Sequence, residues 1–289
     1  MNHEVLPLQY WGKARPQTER VSWHPLVYHS LDVAASGKVL LQRHDRLRLR
    51  LADALGLQDD HLLLHWMVFF LALHDAGKFS EAFQVQVPEL FAELHGQPTN
   101  RSRSVRHDSL GFLFWQESLG PVVQQENWLG CPADRQGLRS FYKAFDPWVR
   151  AVTGHHGKPP SQKHDWLLKH YFSDADQNAA LTFCRQAREL LLPQEIQVVL
   201  PPAREFVWRS QHVSWWLAGI AVFADWVNTV RHKICFPRIS CYDHGFPGST
   251  HLPAKRSRSL GPSKLSKESR LWKPNLLVCL TKLLHLSCP

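Results

Sequence analysis

The segment from His61 to His74, HLLLHWMVFFLALH, is apolar almost all the way round a helix, and it constrains this chain more than any other feature. A helix without a polar face has to be surrounded, so it marks the centre of a core and calls for other helices to cover it. Its unbroken apolar stretch, Trp66–Leu73, falls short of the roughly 18 residues a membrane span requires, as does the later run Val213–Ala224. The 289 residues suffice for one large domain or two small ones without disulfide staples. Apolar residues make up 44% and charged residues 20%, so the chain as a whole is not disordered. The start, MNHEVLPLQYWGK, lacks the basic-then-apolar layout of a secretion signal. A cytoplasmic protein is expected, and membrane, secreted and collagen-like classes are set aside.

The rest of the pattern is helical as well. Pro25–Leu55 opens with a helix-initiating proline and carries Leu31, Leu40, Leu41, Leu47, Leu51 and Leu55 at helical spacings, with Gly37 and Gly56 as expected breaks. Further helices are expected from about Asp108 to Glu117 and over Leu138–Thr153, Asp174–Leu192 and Val213–Val230. Gly96–Arg106 and Pro121–Gly137 read as loops, and Gly157-Lys-Pro-Pro breaks the chain. No run sustains period-two alternation. Gln197–Leu200 is the best candidate strand, and it is short. The body is read as all-α, without internal repeats.

Charge divides the chain in two. Residues 1–230 carry 23 basic and 23 acidic side chains, whereas residues 231–289 carry 11 basic side chains against Asp243 and Glu268. The formal charge of +9 therefore sits entirely in the last 59 residues. Eleven of the twelve tryptophans lie before residue 230, while four of the six cysteines lie after it. No CxxC occurs, and the thiols read as free in a reducing compartment. The expected division is a packed domain, 1–230, and a basic, low-order tail, 231–289. That tail reads as a solvated segment, as an electrostatic arm for nucleic acid, or as the product of a shifted reading frame.

The chemistry lies in the body. In LALHDAGKF, His74 and Asp75 end the apolar helix, with Gly77 and Lys78 one turn on. An imidazole and a carboxylate at a buried helix end are costly unless paired, and a divalent metal removes that cost. In VTGHHG, His155 and His156 stand between glycines that allow close backbone approach. His29 lies on the first long helix, His107 follows a basic loop, and Asp225 sits in FADW on the last apolar helix. Taken singly, His29 or His107 reads as a hydrogen-bonded structural histidine, and Asp225 as the partner of Arg209 or Arg231. As an ordered set, H, HD, H, HH and D offer seven ligands, too many for one ion. They suit two ions sharing a carboxylate, as in two-metal phosphoester hydrolysis.

These motifs resemble a known family. Tyr10-Trp-Gly-Lys13, HPLVYHSLDVAA (24–35), LALHDAGKFSEAFQ (71–84), RHDSLG (106–111), WVRAVTGHHG (148–157) and LAGIAVFADW (217–226) occur in the order found in the HD nuclease domain of the CRISPR-associated type I helicase–nuclease. That protein is the effector recruited by the Cascade surveillance complex, and the likeness is to its subtype I-E branch, over about 220 residues. The resemblance implies an all-α HD fold and a metal-dependent nuclease that nicks or cuts single-stranded DNA exposed by guide-RNA pairing, as an endonuclease in antiviral defence. It implies one metal held by His29, His74, Asp75 and Asp225. A second would be held by Asp75 as bridge with His107, His155 and His156. Lys78 would stand near the scissile phosphate. Two transition-metal ions among Mn, Fe, Co and Ni are expected at such imidazole-rich sites.

Arg101, Arg103 and Arg106 either track DNA phosphates or form a solvated loop. The family usually continues ADW with a Gly-Ser pair, where this sequence has Val227-Asn228-Thr229. No GxxxxGK[ST] occurs, so no ATP hydrolysis is expected of this chain, and the helicase is expected to act in trans or to have been lost. The alternatives are an HD phosphohydrolase acting on nucleotides or cyclic nucleotides, and a truncated non-catalytic remnant.

Overall fold

The computed structural model describes residues 6–15, 22–96, 105–131, 141–161, 165–196 and 198–234, with side chains as far as residue 229. The expected basic tail lies outside the described residues, apart from the backbone of residues 231–234. Met1–Asp225 is one compact unit, and it holds every contact discussed below.

The fold is built around the helix that the sequence places at its centre. Helix α3 (Asp60–Ala72) is preceded by α1 (Leu26–Arg43) and α2 (Asp45–Leu55), and it packs on both. Asp59 caps it by accepting hydrogen bonds from the Leu62 and His61 amides. From Leu62 to Ala72 every side chain is buried except His65, whose ring bonds the Leu191 carbonyl. Phe70 stacks on Phe145 with centroids 5.5 Å apart, and Trp66 meets Phe145 and Phe206 edge-on. After α3 come a short 3-10 turn (Ala76–Phe79), α4 (Glu81–Gln84) and α5 (Pro88–His95), then α6 (His107–Phe114) and α7 (Gly120–Gln125). Next are α8 (Asp146–Thr153), α9 (Asp174–Leu191) and α10 (Ala203–Ile234). By length and composition, the run Asp60–Phe79 could cross a membrane, which the count of unbroken apolar residues understated. In the fold, 94% of its 18 most apolar consecutive residues are buried, as befits a core helix.

The structure departs from the sequence expectations at several points. A β-hairpin opens the domain: β1 (Trp11–Arg15) pairs antiparallel with β2 (Ser22–Pro25), and the register shifts between Trp11 and Lys13. Strands this short, interrupted by Gly12 and ended by Pro25, show no usable alternation. The expected strand at Gln197–Leu200 is not formed: residues 198–200 have no regular structure, and Gln197 lies outside the described residues. The first long helix breaks at His44 rather than Gly37, because Gly37 lies inside α1 where a Cβ would stand 2.2 Å from Leu71 Cδ1.

Pro121 does not begin a loop. The Gly120 amide bonds the Trp115 carbonyl, five residues back, in a π turn over Trp115–Leu119. That wider turn carries the chain past a residue with no N–H to donate, and helix continues to Gln125. Finally, α10 starts ten residues before Val213. Exposed Trp208, Trp215 and Trp216 blur its apolar period.

Candidate metal centre

Five separate stretches converge on Asp75. His74 and Asp75 lie in the tight turn after α3, His29 on α1, His107 at the start of α6, His155 and His156 just after α8, and Asp225 on α10. His29 Nε2 lies 3.1 Å from Asp75 Oδ2, and His74 Nε2 lies 3.2 Å from the same oxygen. His107 Nε2 is 3.4 Å and His155 Nε2 is 3.9 Å from Asp75 Oδ1. Each oxygen of one carboxylate thus faces its own pair of imidazoles. His156 joins through His107, Nε2 to Nε2, at 3.1 Å. Asp225 joins through His29, Oδ1 to Nε2, at 3.4 Å. The structure brings together all seven residues that the sequence singled out as ligands.

Donor chemistry decides what these atoms can be. The Nδ1 of His74 is 2.9 Å from the Leu71 carbonyl, and that of His155 is 2.8 Å from the Val152 carbonyl. A carbonyl only accepts, so both rings carry a proton on Nδ1 and turn Nε2 toward the centre, the atom through which a neutral imidazole binds a metal. His29 and His74 then bring their Nε2 atoms within 3.3 Å of each other. Both Asp75 oxygens are buried without a well-aligned hydrogen bond, although the Lys78 ammonium lies 2.7 Å from Oδ2. Lone pairs and carboxylate oxygens crowded together in a dry site require cations. Among the described residues two ligand groups meet that need, each with its donor atoms within 4.8 Å of one another: His29, His74 and Asp75, and Asp75, His107, His155 and His156. The residues present fit divalent metal, with Asp75 common to both groups.

Burial sets the charge states. Loss of hydration pushes the His29 and His155 imidazoles down to about 3 and that of His107 to about 4, so all three are neutral ligands near pH 7. Burial alone would raise the Asp75 carboxyl, but Lys78, His74 and His29 outweigh it and hold it well below the usual range. Burial opposes ionisation of Asp225 too, and His74, His29 and Lys13 overcome it.

The scaffold behind the ligands is equally specific. A Cβ on Gly77 would stand 1.9 Å from the His107 carbonyl oxygen and 2.5 Å from the Gly111 nitrogen. The glycine of HDAGK and the glycine of RHDSLG therefore form one backbone-to-backbone contact, and it sets His107 against Asp75. The Lys78 ammonium donates to the Gly12 carbonyl at 3.0 Å. Fully buried Gln84 accepts from the Trp11 amide and donates to the Trp11 and Lys78 carbonyls. Sequence reasoning missed Gln84 and Lys13 as parts of the site, although both fall inside motifs it had singled out. Lys13 Nζ lies 3.3 Å from Asp225 Oδ1. Of the arginines expected to follow DNA, Arg106 is half exposed and pairs with buried Asp108, while Arg101 and Arg103 lie outside the described residues.

A helical body that brings His, His-Asp, His, His-His and Asp to one point is a domain of the HD class. The family described as Cas3, HD domain, matches residues 11–229, and this chain belongs to that family. The CRISPR-associated endonuclease/helicase Cas3 of Escherichia coli K12 is 33% identical, over 76% of this chain and 25% of its own length. This chain thus spans about a quarter of that relative. A solved structure of T. fusca Cas3 with ATP superposes with a TM-score of 0.60 at 20% identity, covering 96% of this chain and 26% of that one. A CRISPR RNA-guided surveillance complex, in a pre-nicking state, contains a chain with a TM-score of 0.53 at 20% identity, covering 78% and 25%. These structural likenesses agree on the fold.

Proposed function

We propose that this chain is a metal-dependent nuclease that hydrolyses the backbone of single-stranded DNA, nicking or cutting internally, within CRISPR type I interference. The observation that carries the reading is the division of Asp75, one oxygen toward His29 and His74 and the other toward His107 and His155. His29, His74, Asp75 and Asp225 would hold one divalent ion, and Asp75, His107, His155 and His156 the other. Imidazole-rich sets favour Mn, Fe, Co or Ni. Such a pair of ions supplies Lewis acidity and an activated water for in-line displacement at phosphorus.

The chain's own part is preparation. Lys78 keeps Asp75 ionised, the Leu71 and Val152 carbonyls fix the Nδ1 protons of His74 and His155, and burial keeps His29, His107 and His155 neutral. The reading takes single-stranded DNA as substrate, a Cascade–guide RNA complex as partner and the cytoplasm as setting; membership of the Cas3 HD family and the likeness to a chain of an RNA-guided surveillance complex support its CRISPR context. Unwinding falls to a helicase module, since these 289 residues contain no GxxxxGK[ST] loop.

The test is cleavage of circular single-stranded DNA with Mn, Co or Ni, beside His74→Ala and Asp75→Ala. A circle has no ends, so its loss reports internal cutting. Cleavage by the wild type and by neither variant supports the proposal. A folded wild type that is inert with every metal overturns it and favours a non-catalytic remnant. Activity on a small phosphodiester but not on DNA overturns it in favour of a nucleotide phosphohydrolase.

A further inference from the structure

Among the described residues two lysines reach the centre, and they are placed differently. Lys78 is 9% exposed, and its ammonium is committed to Asp75 at 2.7 Å and to the Gly12 carbonyl at 3.0 Å. Lys13 follows Gly12 on β1, and 29% of its side chain is open to solvent. Its ammonium lies 3.3 Å from Asp225 Oδ1, the same oxygen that faces His29. These contacts form a row: Lys13, Asp225, His29, Asp75, His107, His156. The middle of this row is dry, with His29 and Asp75 each 1% exposed, while Lys13 and His156 at its ends reach water. A polyanion approaching the row meets Lys13 at one end.

We propose that Lys13 contacts a backbone phosphate of the bound DNA strand, and that its pairing with Asp225 gives way when a divalent cation engages that carboxylate. The assignment rests on the nuclease reading above. The ammonium sits against the carboxylate as a resident counter-charge. Once a dication shares Asp225, the two positive charges repel, and a flexible four-carbon stem lets the ammonium turn outward. Lys78 has no such freedom, since its carbonyl bond and burial hold it. The division of labour is then one fixed lysine that serves the ligand and one open lysine that serves the substrate.

Phosphate contacts have a signature that structural lysines lack. Each phosphate neutralised on a single strand contributes about 0.7 to the slope of log Kobs against log salt. The experiment measures Mn-loaded binding of the full chain to single-stranded DNA over a salt series in Ca-free buffer, for wild type, Lys13→Met, Lys13→Arg and the exposed-surface control Lys143→Met. Manganese titrations and thermal melts are recorded for the same proteins. The expected result is a slope shallower by about 0.7 in Lys13→Met, with the wild-type slope kept in Lys13→Arg and Lys143→Met and manganese stoichiometry unchanged throughout. A Lys13→Met slope equal to that of the wild type overturns the assignment while leaving the nuclease reading intact. A folded wild type that binds manganese but neither binds nor cuts single-stranded DNA overturns both. Should Lys13→Met unfold, Lys13→Gln is measured in its place; a slope shallower by about 0.7 is again expected, and a folded Lys13→Gln protein with the wild-type slope overturns the assignment.

Discussion

Replacing Gly77 by alanine asks a single methyl group to do what a ligand deletion does. The new Cβ would lie 1.9 Å from the His107 carbonyl oxygen and 2.5 Å from the Gly111 nitrogen, and both are backbone atoms that cannot rotate away. Relief requires the start of α6 to retreat by about 1 Å or more. His107 occupies that start, with its Nε2 3.4 Å from Asp75 and 3.1 Å from His156. A 1 Å error in a catalytic array costs roughly 100-fold in rate, and overpacking of this kind costs about 1–3 kcal/mol of stability. The group formed by His29, His74 and Asp75 lies away from the clash and should keep its ion. The assay pairs manganese titration with cleavage of single-stranded DNA and a denaturant melt. Gly219→Ala serves as control, because nothing lies within 4 Å of a Cβ at that helical position. The expected Gly77→Ala protein is folded, binds one ion fewer and cuts about 100-fold more slowly. Wild-type stoichiometry with cleavage within a few-fold of the wild type would show that the glycine contact does not place His107.

The other predictions follow from the same contacts. Asp75→Ala should abolish binding of both manganese ions in calorimetry, whereas His156→Ala should remove only one, because His29, His74 and Asp75 remain together; equal losses would refute a shared carboxylate. Gln84→Leu should destabilise the domain by about 3 kcal/mol or more in chemical denaturation, since it strands the Trp11 amide and two buried carbonyls at roughly 1–3 kcal/mol each. The metal-free protein should lose thermal stability as pH falls from about 6.5 toward 4. Unfolded histidines take up protons near 6.5, while folded His29 and His155 wait until about 3 and His107 until about 4, so the unfolded chain binds more protons across that window. Asp176, whose carboxyl burial raises, works in the opposite direction. A melting temperature that is flat or rising on acidification would refute the reasoning.

The sequence made the core and the ligand set legible for different reasons. Helix α3 announces itself because an unbroken apolar surface admits one placement, and His74-Asp75 stands out because two polar groups end it. His29, His107 and Asp225 are ambiguous alone, and only their order beside apolar helices, or a resemblance, gathers them. Lys13 and Gln84 were not legible as parts of the site. Their roles depend on a hairpin bulge at Gly12 and on backbone carbonyls, which a side-chain pattern does not record. The hairpin itself hid in strands of five and four residues containing Gly12 and Pro25. Helix beyond Pro121 hid because a proline reads as a stop, whereas a π turn lets the chain accommodate it. Exposed Trp208 concealed the first turns of α10, since an apolar residue in water weakens the very period by which a helix is recognised.

The carbonyl bonds behind His74 and His155 have one more consequence. Each ring is held by the residue three positions before it, Leu71 or Val152, within a single turn of chain. Their aim is therefore a local property, settled as soon as that turn forms, whereas Asp225 meets His29 only across 196 positions of sequence. Damage that loosens the far end of the polypeptide should take the carboxylate first and leave two imidazoles still pointing inward. Such a protein would retain a weakened grip on metal while losing productive chemistry, and the two properties would decay on different schedules as mutations accumulate.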